Sequence, residues 1–225
     1  MEVKIIPSIK EAHAARGVVV ILDIFRASNT IMALLQAGVG RLILLGDLDL
    51  SLNLRQANPD WLLFGERKGI MLPGMDGDNS PSKIMKLDLR GRTAILSTSA
   101  GTQPLGLLGK AGGPIFYGCF PNSGALLKIL RELNASIVNL MPMGRETIIP
   151  VVEDNSAAEY LQKSLLGQPV DFYKLRRDIM ECDSTRRMKE RNLDDDLEFC
   201  TSLDTHDLVP VVDLSGEYPE ARPWR

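Results

Sequence analysis

One stretch near the N-terminus combines an acid, an arginine and small polar side chains in a spacing suited to an anion, with or without a metal. An apolar run ends at Asp23, and Arg26, Ser28, Asn29 and Thr30 follow it. Arginine can hold a phosphate or sulfonate in a bidentate contact, and a helix start offers backbone N–H groups to an anion. Asp23 would serve as a metal ligand or a base. A helix cap with a surface ion pair is the alternative that this stretch leaves open.

A second stretch, residues 65–84, predicts a long loop with more side chains of the same kinds. These side chains are Glu66, Arg67, Asp76, Asn79 and Ser80. Loops of this length without secondary structure of their own are uncommon and often functional, and the glycines here let the backbone approach a ligand closely. A helix start capped by Asn79 or Ser80, with Pro81 in its first turn, is a compatible structural interpretation.

Two later stretches add weaker signals. Thr98, Gly101 and Thr102 precede a predicted helix and offer a second anion cradle, although Ser, Thr and Gly are also common turn formers. Glu153 and Asp154 stand together at a predicted helix start, where acids also interact favourably with the helix dipole. Their functional interpretation is a hard-cation site, because Mg²⁺ takes one or two carboxylates together with water and substrate oxygens.

Short apolar segments alternate with amphipathic segments along the first two thirds of the chain. The predicted strands cover residues 18–22, 41–45, 61–64, 93–97, 115–117 and 137–141. The predicted helices cover residues 27–36, 48–56, 102–109, 122–133 and 154–165. This order is typical of an α/β fold with a mostly parallel sheet and helices on both faces. In such sheets ligands bind at the carboxyl ends of the strands, where the polar stretches are expected to meet.

The chain has 225 residues, which suits one large domain or two small ones. We expect residues 1–225 to form a single unit, and a division into two lobes stays open. Residues 175–191 carry both charge signs and predict a solvated helix, and residues 194–196 form an acidic cluster at a turn or helix start. Residues 216–225 contain two prolines and predict an extended or frayed tail.

Composition argues against several classes of function. The net charge of −3 disfavours a general nucleic-acid-binding protein, and no segment predicts a membrane span or a leader. Three scattered cysteines favour a reducing, cytoplasmic location over a disulfide framework or a structural zinc site. His13 and His206 lie outside the polar stretches, and nucleotide-binding motifs are absent. The class of function that these observations leave is metal-assisted chemistry on a small anionic substrate.

The order of the motifs resembles one known family, the 2-phosphosulfolactate phosphatases (ComB). The resemblance covers nearly the whole chain and rests on "LDIFRASNTI", "GERKG", "PGMDGDNSP", "LSTSAGT", "PNSGAL", "VVEDNSAAEYL" and "DDLEFCTSLDTHDLVPVV". It implies a magnesium-dependent phosphatase that converts 2-phospho-3-sulfolactate to 3-sulfolactate and phosphate, a step of coenzyme M biosynthesis. Family members also occur in bacteria without coenzyme M. Two alternatives therefore stay open: the protein is a phosphatase for a different phosphorylated hydroxy acid, or it is a non-catalytic anion-binding protein.

Residue chemistry and the resemblance together predict three groups of site residues. The catalytic group is Asp23, Arg26, Glu66 and Arg67. The substrate-binding group is Ser28, Asn29, Thr30, Asn79, Ser80, Thr98, Gly101 and Thr102. The metal-binding group is Asp23, Glu66, Asp76, Glu153 and Asp154. Mg²⁺ would bridge these carboxylates to a phosphate oxygen, and Arg26 and Arg67 would hold the phosphate and a second acidic group. A homodimer is left open.

Several positions depart from the family pattern. Ala100 stands where asparagine is usual, and Gln103 where arginine is usual. Asp78, Met75 and Lys68 replace glycine, phenylalanine and, often, glycine. Hydrogen bonds to charged groups are worth roughly 1.5–3 kcal/mol each. The changes at positions 100 and 103 remove an amide and an arginine that could contact an anion. They therefore affect substrate choice and activity more than the fold.

Overall fold

The structure is a computed structural model that describes residues 1–7, 9–109 and 111–225. Within these residues nine strands form one sheet. Their bounds are β1 Glu2–Ile5, β2 Gly17–Leu22, β3 Arg41–Leu45, β4 Leu62–Gly65, β5 Thr93–Ser97, β6 Gly112–Gly118, β7 Ile137–Pro142, β8 Pro210–Asp213 and β9 Glu220–Pro223. The order across the sheet is β1-β7-β2-β6-β8-β9-β3-β5-β4.

The sheet consists of two parallel groups joined by an antiparallel hairpin. β1, β7, β2 and β6 are parallel to one another, and so are β3, β5 and β4. β8 and β9 pair with each other, and they pair with β6 and β3 respectively, always in antiparallel orientation. The two parallel groups therefore run in opposite senses. Because each strand is rotated relative to its neighbour by the sheet twist, the accumulated rotation lets strand ends of both groups approach one cavity.

Alternation along the apolar strands supplies a core on each face of the sheet. In β2, Val19 and Ile21 face one hydrophobic cluster, whereas Val18, Val20 and Leu22 face the other. Successive side chains of a strand point to opposite faces, and a strand covered on both faces is apolar throughout. Both faces of β2 are buried, which explains why its apolar run is continuous.

Helices cover both faces of the sheet, as the sequence predicts. In the described ranges the α-helices are α1 Ala27–Gln36, α2 Leu48–Ala57, α3 Pro81–Ile84, α4 Leu105–Leu108, α5 Ser123–Glu132, α6 Val152–Leu165, α7 Phe172–Glu181, α8 Asp183–Glu190 and α9 Asp194–Cys200. Short 3-10 helices cover Ile9–Ala14 and Phe120–Asn122. α1 and α4 contribute to the core on one face, and α5, α6 and α7 contribute to the core on the other. None of the described helices is long and apolar enough to cross a membrane.

The largest departures from the predicted elements lie in the last third of the chain. The predicted helix over residues 175–191 is two helices, α7 and α8, which meet at Cys182 in an extended conformation. Of the extended or frayed tail predicted for residues 216–225, residues 220–223 are extended, and as β9 they lie inside the sheet between β8 and β3. The predicted helix over residues 102–109 shortens to α4, since turns precede it. The sequence pattern does not predict β1 and β8, which have four residues each.

Candidate active site

A cavity of about 230 Å³ opens where four strands end. Asp23 follows β2, Glu66 follows β4, Thr98 follows β5 and Gly144 lies just beyond β7, and all four residues line the cavity. The strands belong to both parallel groups, so residues that are far apart in sequence meet here. Proteins with parallel sheets bind ligands at the carboxyl ends of strands. The cavity is therefore the candidate active site.

Asp23 is buried beside the first turn of α1. Its Oδ1 accepts a hydrogen bond from the Ala27 N–H at 3.2 Å. Burial and the nearby carboxylates of Glu66 and Glu153 raise the pKa of Asp23 from its ordinary value of 3.8 to about 7. A Cβ at Gly101 would lie 2.9 Å from Asp23 Oδ2, so a glycine permits the close approach of the two loops. No ion pair in the described part of the chain involves Asp23.

Glu66 joins the loops that follow β4 and β5. Its Oε1 accepts a hydrogen bond from the Ser99 N–H at 2.7 Å, and its Oε2 accepts hydrogen bonds from the Gly69 N–H and from Ser99 Oγ. The residue is buried and lines the cavity. Glu66 is thus fixed in position by both loops and contributes a carboxylate to the cavity wall.

The two acids at the start of α6 have different surroundings. Asp154 Oδ1 accepts a hydrogen bond from the Ile24 N–H at 2.7 Å, and Oδ2 accepts one from the Gly144 N–H at 2.9 Å. Asp154 therefore fastens the loops after β2 and β7 to each other. Glu153 lines the cavity beside α8. Burial raises the pKa of both carboxyl groups, and the charge of Asp23 adds to the rise at Asp154.

Arg26 lies in a buried ion pair beside the cavity, so protein groups already occupy much of its guanidinium. Its Nη1 donates to Asp196, and its Nη2 donates to Asn79 Oδ1 at 2.7 Å. Asp196, in the first turn of α9, also accepts hydrogen bonds from Ser80 Oγ at 2.7 Å and from the Ser82 N–H at 3.0 Å. Arg26 therefore joins α1 to α3 and α9, although part of it lines the cavity.

The polar residues within α1 hold the helix and do not line the cavity. Ser28 Oγ accepts a hydrogen bond from the Asp23 N–H at 3.0 Å, and Asn29 Nδ2 donates to a backbone carbonyl. Thr30 Oγ1 donates to the carbonyl of Asn79 at 2.7 Å. Asp23 itself accepts two of the first N–H groups of α1. The predicted anion cradle at this helix start is thus largely filled by the protein.

Arg67 and Asp76 also lie outside the lining. Arg67 Nη2 donates to the Gly46 carbonyl and to Ser97 Oγ, each at 2.9 Å, so Arg67 ties the end of β3 to the end of β5. Asp76 forms an ion pair with Arg55 at 3.0 Å. Arg67 also donates to the Glu66 carbonyl at 2.7 Å. Arg67 and Asp76 thus have protein partners for their charges or hydrogen bonds, and neither forms part of the cavity wall.

Of the remaining predicted ligand-binding residues, Asn79 and Thr98 line the cavity directly. Thr98 is buried, and its Oγ1 has no hydrogen-bond partner among the described residues. A buried hydroxyl without a partner is unfavourable, so this atom suits a ligand or a ligand-bound water. Ser80 binds Asp196 instead, and Thr102 Oγ1 donates to the Thr98 carbonyl at 3.4 Å.

The site residues predicted from the sequence do not include most of the basic residues of the lining. These basic residues are Lys68, Arg145, Arg187 and Arg191. Lys68 and Arg145 come from the loops after β4 and β7, whereas Arg187 lies on α8 and Arg191 just follows it. The lining positions 184, 187, 188 and 191 are three or four residues apart, which is the spacing of one helix face. This spacing could identify Arg187 and Arg191 as residues of one helix face. The mixed charges of the segment, however, are equally typical of a solvated helix.

The acidic part of the lining fits a hard divalent cation such as Mg²⁺. Asp23, Glu66 and Glu153 supply carboxylate oxygens, and the raised pKa of Asp23 reflects burial and repulsion that a cation would relieve. Within residues 1–7, 9–109 and 111–225, no three Asp, Glu, His or Cys side chains converge on one metal position. Mg²⁺ commonly takes one or two carboxylates and completes its shell with water and substrate oxygens. The residues therefore fit a metal that is shared with the substrate.

The two departures that bear on substrate choice have different positions. Ala100 lines the cavity and is 8% exposed. Gln103 is exposed and lies outside the lining, and its Nε2 donates to the Gly46 carbonyl at 3.3 Å. The absence of an amide at position 100 therefore changes the cavity wall, whereas the absence of arginine at position 103 does not.

Comparison with known proteins confirms the resemblance. Residues 4–214 match the family described as 2-phosphosulpholactate phosphatase. A probable 2-phosphosulfolactate phosphatase of Thermoplasma volcanium is 32% identical over 85% of this chain and 87% of the relative. Proteins with the same description from Carboxydothermus hydrogenoformans and Thermus thermophilus are 32% and 28% identical, over 89% and 98% of this chain and 88% and 97% of the relatives. The chain therefore belongs to the 2-phosphosulpholactate phosphatase family, whose named reaction is the hydrolysis of a phosphoric monoester.

Proposed function

We propose that the protein hydrolyses the phosphate ester of a small acidic hydroxy acid, with 2-phospho-3-sulfolactate as substrate and Mg²⁺ as cofactor. The observation that carries the proposal is the composition of the cavity, in which strand-end carboxylates and five basic side chains share one lining. A multiply charged anion together with a divalent cation would balance both sets of charges. Family membership supports the reaction class, because the relatives are described as probable 2-phosphosulfolactate phosphatases.

Asp23 is our candidate for the catalytic carboxylate. It is buried at the cavity wall between other acids and forms no ion pair with described residues. In this role Asp23 accepts a proton from the attacking water while the new P–O bond forms. It then returns the proton to the oxygen of the leaving hydroxy acid as the ester bond breaks. Glu66 and Glu153 would hold Mg²⁺, which when bound supplies charge that polarises the phosphoryl group.

Other cavity residues orient the phosphate. The unpartnered Thr98 hydroxyl is placed to donate a hydrogen bond to a phosphate oxygen. Lys68 and Arg145 add positive charge from the loops after β4 and β7. Arg26 has a positioning role, because its ion pair with Asp196 holds the start of α1 in place. The first turn of α1 in turn donates a hydrogen bond to Asp23.

The proposal is tested by phosphate release from a panel of phosphorylated acids, with and without Mg²⁺. We expect release from 2-phospho-3-sulfolactate, its loss on exhaustive chelation and its recovery when Mg²⁺ is restored. Calorimetric titration of Mg²⁺ into the metal-free protein gives a readout independent of turnover. Full activity after chelation would contradict the metal, and no release from any ester would contradict the function.

A second candidate substrate is a different phosphorylated hydroxy acid. Ala100 favours this candidate, because it removes an amide that is usual in the family from the cavity wall. The same panel distinguishes the two, since the true substrate should have the highest kcat/KM.

We further propose a cytoplasmic location, supported by the free thiols of Cys119, Cys182 and Cys200. Reduced thiols persist in a reducing compartment, and an experiment with the tagged protein in fractionated cells tests this location. A role in coenzyme M biosynthesis follows only if 2-phospho-3-sulfolactate is the substrate. The homodimer that the sequence left open remains a prediction.

A further inference from the structure

One face of the α8 region forms part of the cavity wall. Its lining residues are Ser184, Arg187, Met188 and Arg191. On another face Arg186 has a side chain that is 68% exposed and pairs with Asp183 at 2.8 Å. Much of the remaining wall comes from loops that follow strands. A helix that turns an arginine into the cavity and its neighbour into solvent offers a matched pair of positions.

Arg187 forms no ion pair in the described part of the chain. Its Nη2 donates to the neutral Ser184 Oγ at 2.9 Å, and the side chain is half-buried. No carboxylate lies within ion-pair distance of it among these residues. Glu153 is more distant, where burial raises its pKa and the charge of Arg187 opposes that rise. A guanidinium that is partly withdrawn from water and has a carboxylate only beyond ion-pair distance is incompletely compensated, so the position favours an anionic ligand.

The other basic residues of the lining are differently placed. Arg26 is used in a buried ion pair. Arg191 donates to two backbone carbonyls of the loop after β4, so it fastens α8 to that loop. Lys68 and Arg145 are exposed at the surface. Arg187 therefore combines partial burial with a guanidinium that lacks both a carboxylate and a carbonyl partner.

We propose that Arg187 is a specificity-determining residue that binds an anionic group on the third carbon of a 2-phospho acid. This inference rests on the proposed function, because it assigns a second acidic group to the substrate of the same cavity. A planar guanidinium can donate two parallel hydrogen bonds to a carboxylate or sulfonate. An analogue without that group leaves Arg187 without a counter-ion, so the enzyme discriminates against it.

The test uses three hydroxy acids that differ only at the third carbon: lactate carries hydrogen there, malate a carboxylate and 3-sulfolactate a sulfonate. Calorimetry measures their binding, with Mg²⁺ present, to the parent protein and to Arg187→Gln, Arg187→Lys and Arg186→Gln. We expect the parent to bind malate or 3-sulfolactate about ten- to a hundredfold more tightly than lactate. Arg187→Gln should abolish this preference, Arg187→Lys should retain part of it, and Arg186→Gln should behave as the parent.

The two diacids separate the possible anions. Equal gains for malate and 3-sulfolactate support recognition of charge, and a gain for 3-sulfolactate alone supports recognition of a sulfonate. Either result supports the inference. A parent without preference, or an Arg187→Gln protein with the parental preference, overturns it.

Turnover separates this inference from the proposed function. With 2-phospholactate and 2-phospho-3-sulfolactate as substrates, Arg187→Gln should raise KM only for the second. Equal losses on both esters overturn the inference, because the arginine would then serve the phosphate or the fold. Arg187-dependent binding of the acids without hydrolysis of any ester contradicts the proposed function and leaves the inference standing. Thermal melting checks folding, and Arg187→Lys provides the test if the glutamine variant does not fold.

Discussion

Two clusters that contain buried acids lie beside the same cavity, and the charges of these acids are compensated in opposite ways. The first, called the paired cluster, consists of Asp196, Arg26, Asn79, Ser80 and Ser82. The second, called the carboxylate cluster, consists of Asp23, Glu66, Glu153 and Asp154. In the paired cluster Asp196 accepts hydrogen bonds from a guanidinium, two hydroxyls and a backbone N–H. In the carboxylate cluster the charges of Glu66 and Glu153 raise the pKa of Asp23, and those of Asp23 and Glu153 raise the pKa of Asp154, on top of the effect of burial.

This difference indicates which cluster serves the fold and which serves a ligand. A buried charge with a complete set of partners joins the elements that supply them, and removal of one partner leaves an uncompensated charge. Buried acids that face one another without a cation destabilise the folded chain, and such perturbed groups concentrate at functional sites. Substitutions in the carboxylate cluster should therefore change activity, whereas substitutions in the paired cluster should change stability.

The largest effect is expected for Asp23→Asn, which should lower turnover by about 10²–10⁴-fold. Asparagine can still accept the hydrogen bond from the Ala27 N–H, as a helix cap does. It cannot accept the proton of an attacking water or balance a cation. The measurement is steady-state phosphate release with the best substrate, together with a thermal melt that shows the variant to be folded.

Glu132→Gln is the matched control, because Glu132 is an acid on α5 whose side chain is 65% exposed. It should keep the parental rate. If a folded Asp23→Asn protein turns over as fast as this control, the catalytic role passes to Glu66 or Asp154.

In the paired cluster, Asp196→Ala should lower the free energy of unfolding by about 3–5 kcal/mol. The substitution leaves the Arg26 guanidinium buried without its carboxylate, since the two side chains are only 6% and 1% exposed. Arg26→Ala should have a similar effect for the reciprocal reason. Urea denaturation of both variants and of the double variant measures the coupling.

The double variant should lose clearly less than the sum of the two single losses, because neither charge is then left alone. Strictly additive losses would mean that the ion pair does not couple the two residues. Losses below about 1 kcal/mol, typical of exposed pairs, would favour a surface ion pair for Arg26, which is the alternative that the sequence leaves open.

The residues of the carboxylate cluster could be predicted from the sequence, because local sequence patterns show where they lie. A strand buried on both faces is a continuous apolar run, so its end is easy to locate, and Asp23 stands at that end. Glu66 follows β4 in the same way, and Glu153 and Asp154 open α6. Parallel pairing brings together the strand ends within each parallel group, but Asp23 and Glu66 follow strands of the two different groups, and their meeting does not follow from parallel pairing alone.

The paired cluster could not be inferred in the same way, because its partners are distant in sequence. Arg26 and Asp196 are separated by 170 positions, and no local pattern distinguishes this pair from a free arginine and a helix-start acid. Arg67 and Asp76 likewise have partners in other elements, which no local sequence pattern shows. The hairpin of β8 and β9 is also short, with four residues in each strand.

The pH dependence of stability should reveal Asp23 in metal-free buffer. Its pKa rises from an ordinary 3.8 to about 7 in the folded protein, mainly through burial. The folded state therefore holds this proton when the unfolded state has released it. The stability associated with Asp23 is complete below about pH 4 and is lost as pH rises through about 7. A rise of this size corresponds to at most about 4 kcal/mol.

The measurement is the free energy of unfolding of the parent minus that of Asp23→Asn, from pH 4 to pH 8 with chelator present. This difference should fall as the pH rises, and Mg²⁺ should reduce the fall by compensating the charge. Burial raises the pKa of Glu153 and Asp154 in both proteins, so the subtraction removes this part, whereas the part of the Asp154 shift that comes from the charge of Asp23 stays in the difference. A difference that does not vary with pH would mean that Asp23 is solvated in solution.

The smallest effect is expected for Ala100→Asn. Ala100 is 8% exposed and lines the cavity, so an amide there should add one hydrogen bond to an acidic substrate. A hydrogen bond to a charged group is worth roughly 1.5–3 kcal/mol, and the bulk of the new side chain opposes part of it. We therefore expect KM for 2-phospho-3-sulfolactate to fall by up to about tenfold with little change in kcat.

Gln103→Arg is the control for Ala100→Asn, because Gln103 is exposed and outside the lining. It restores the other residue that is usual in the family, yet it should leave KM unchanged. If Gln103→Arg lowers KM as much as Ala100→Asn, the substrate must reach beyond the cavity wall toward the Gly46 turn that Gln103 contacts. The comparison of the two clusters would then be incomplete, because ligand charge would also be balanced outside both of them.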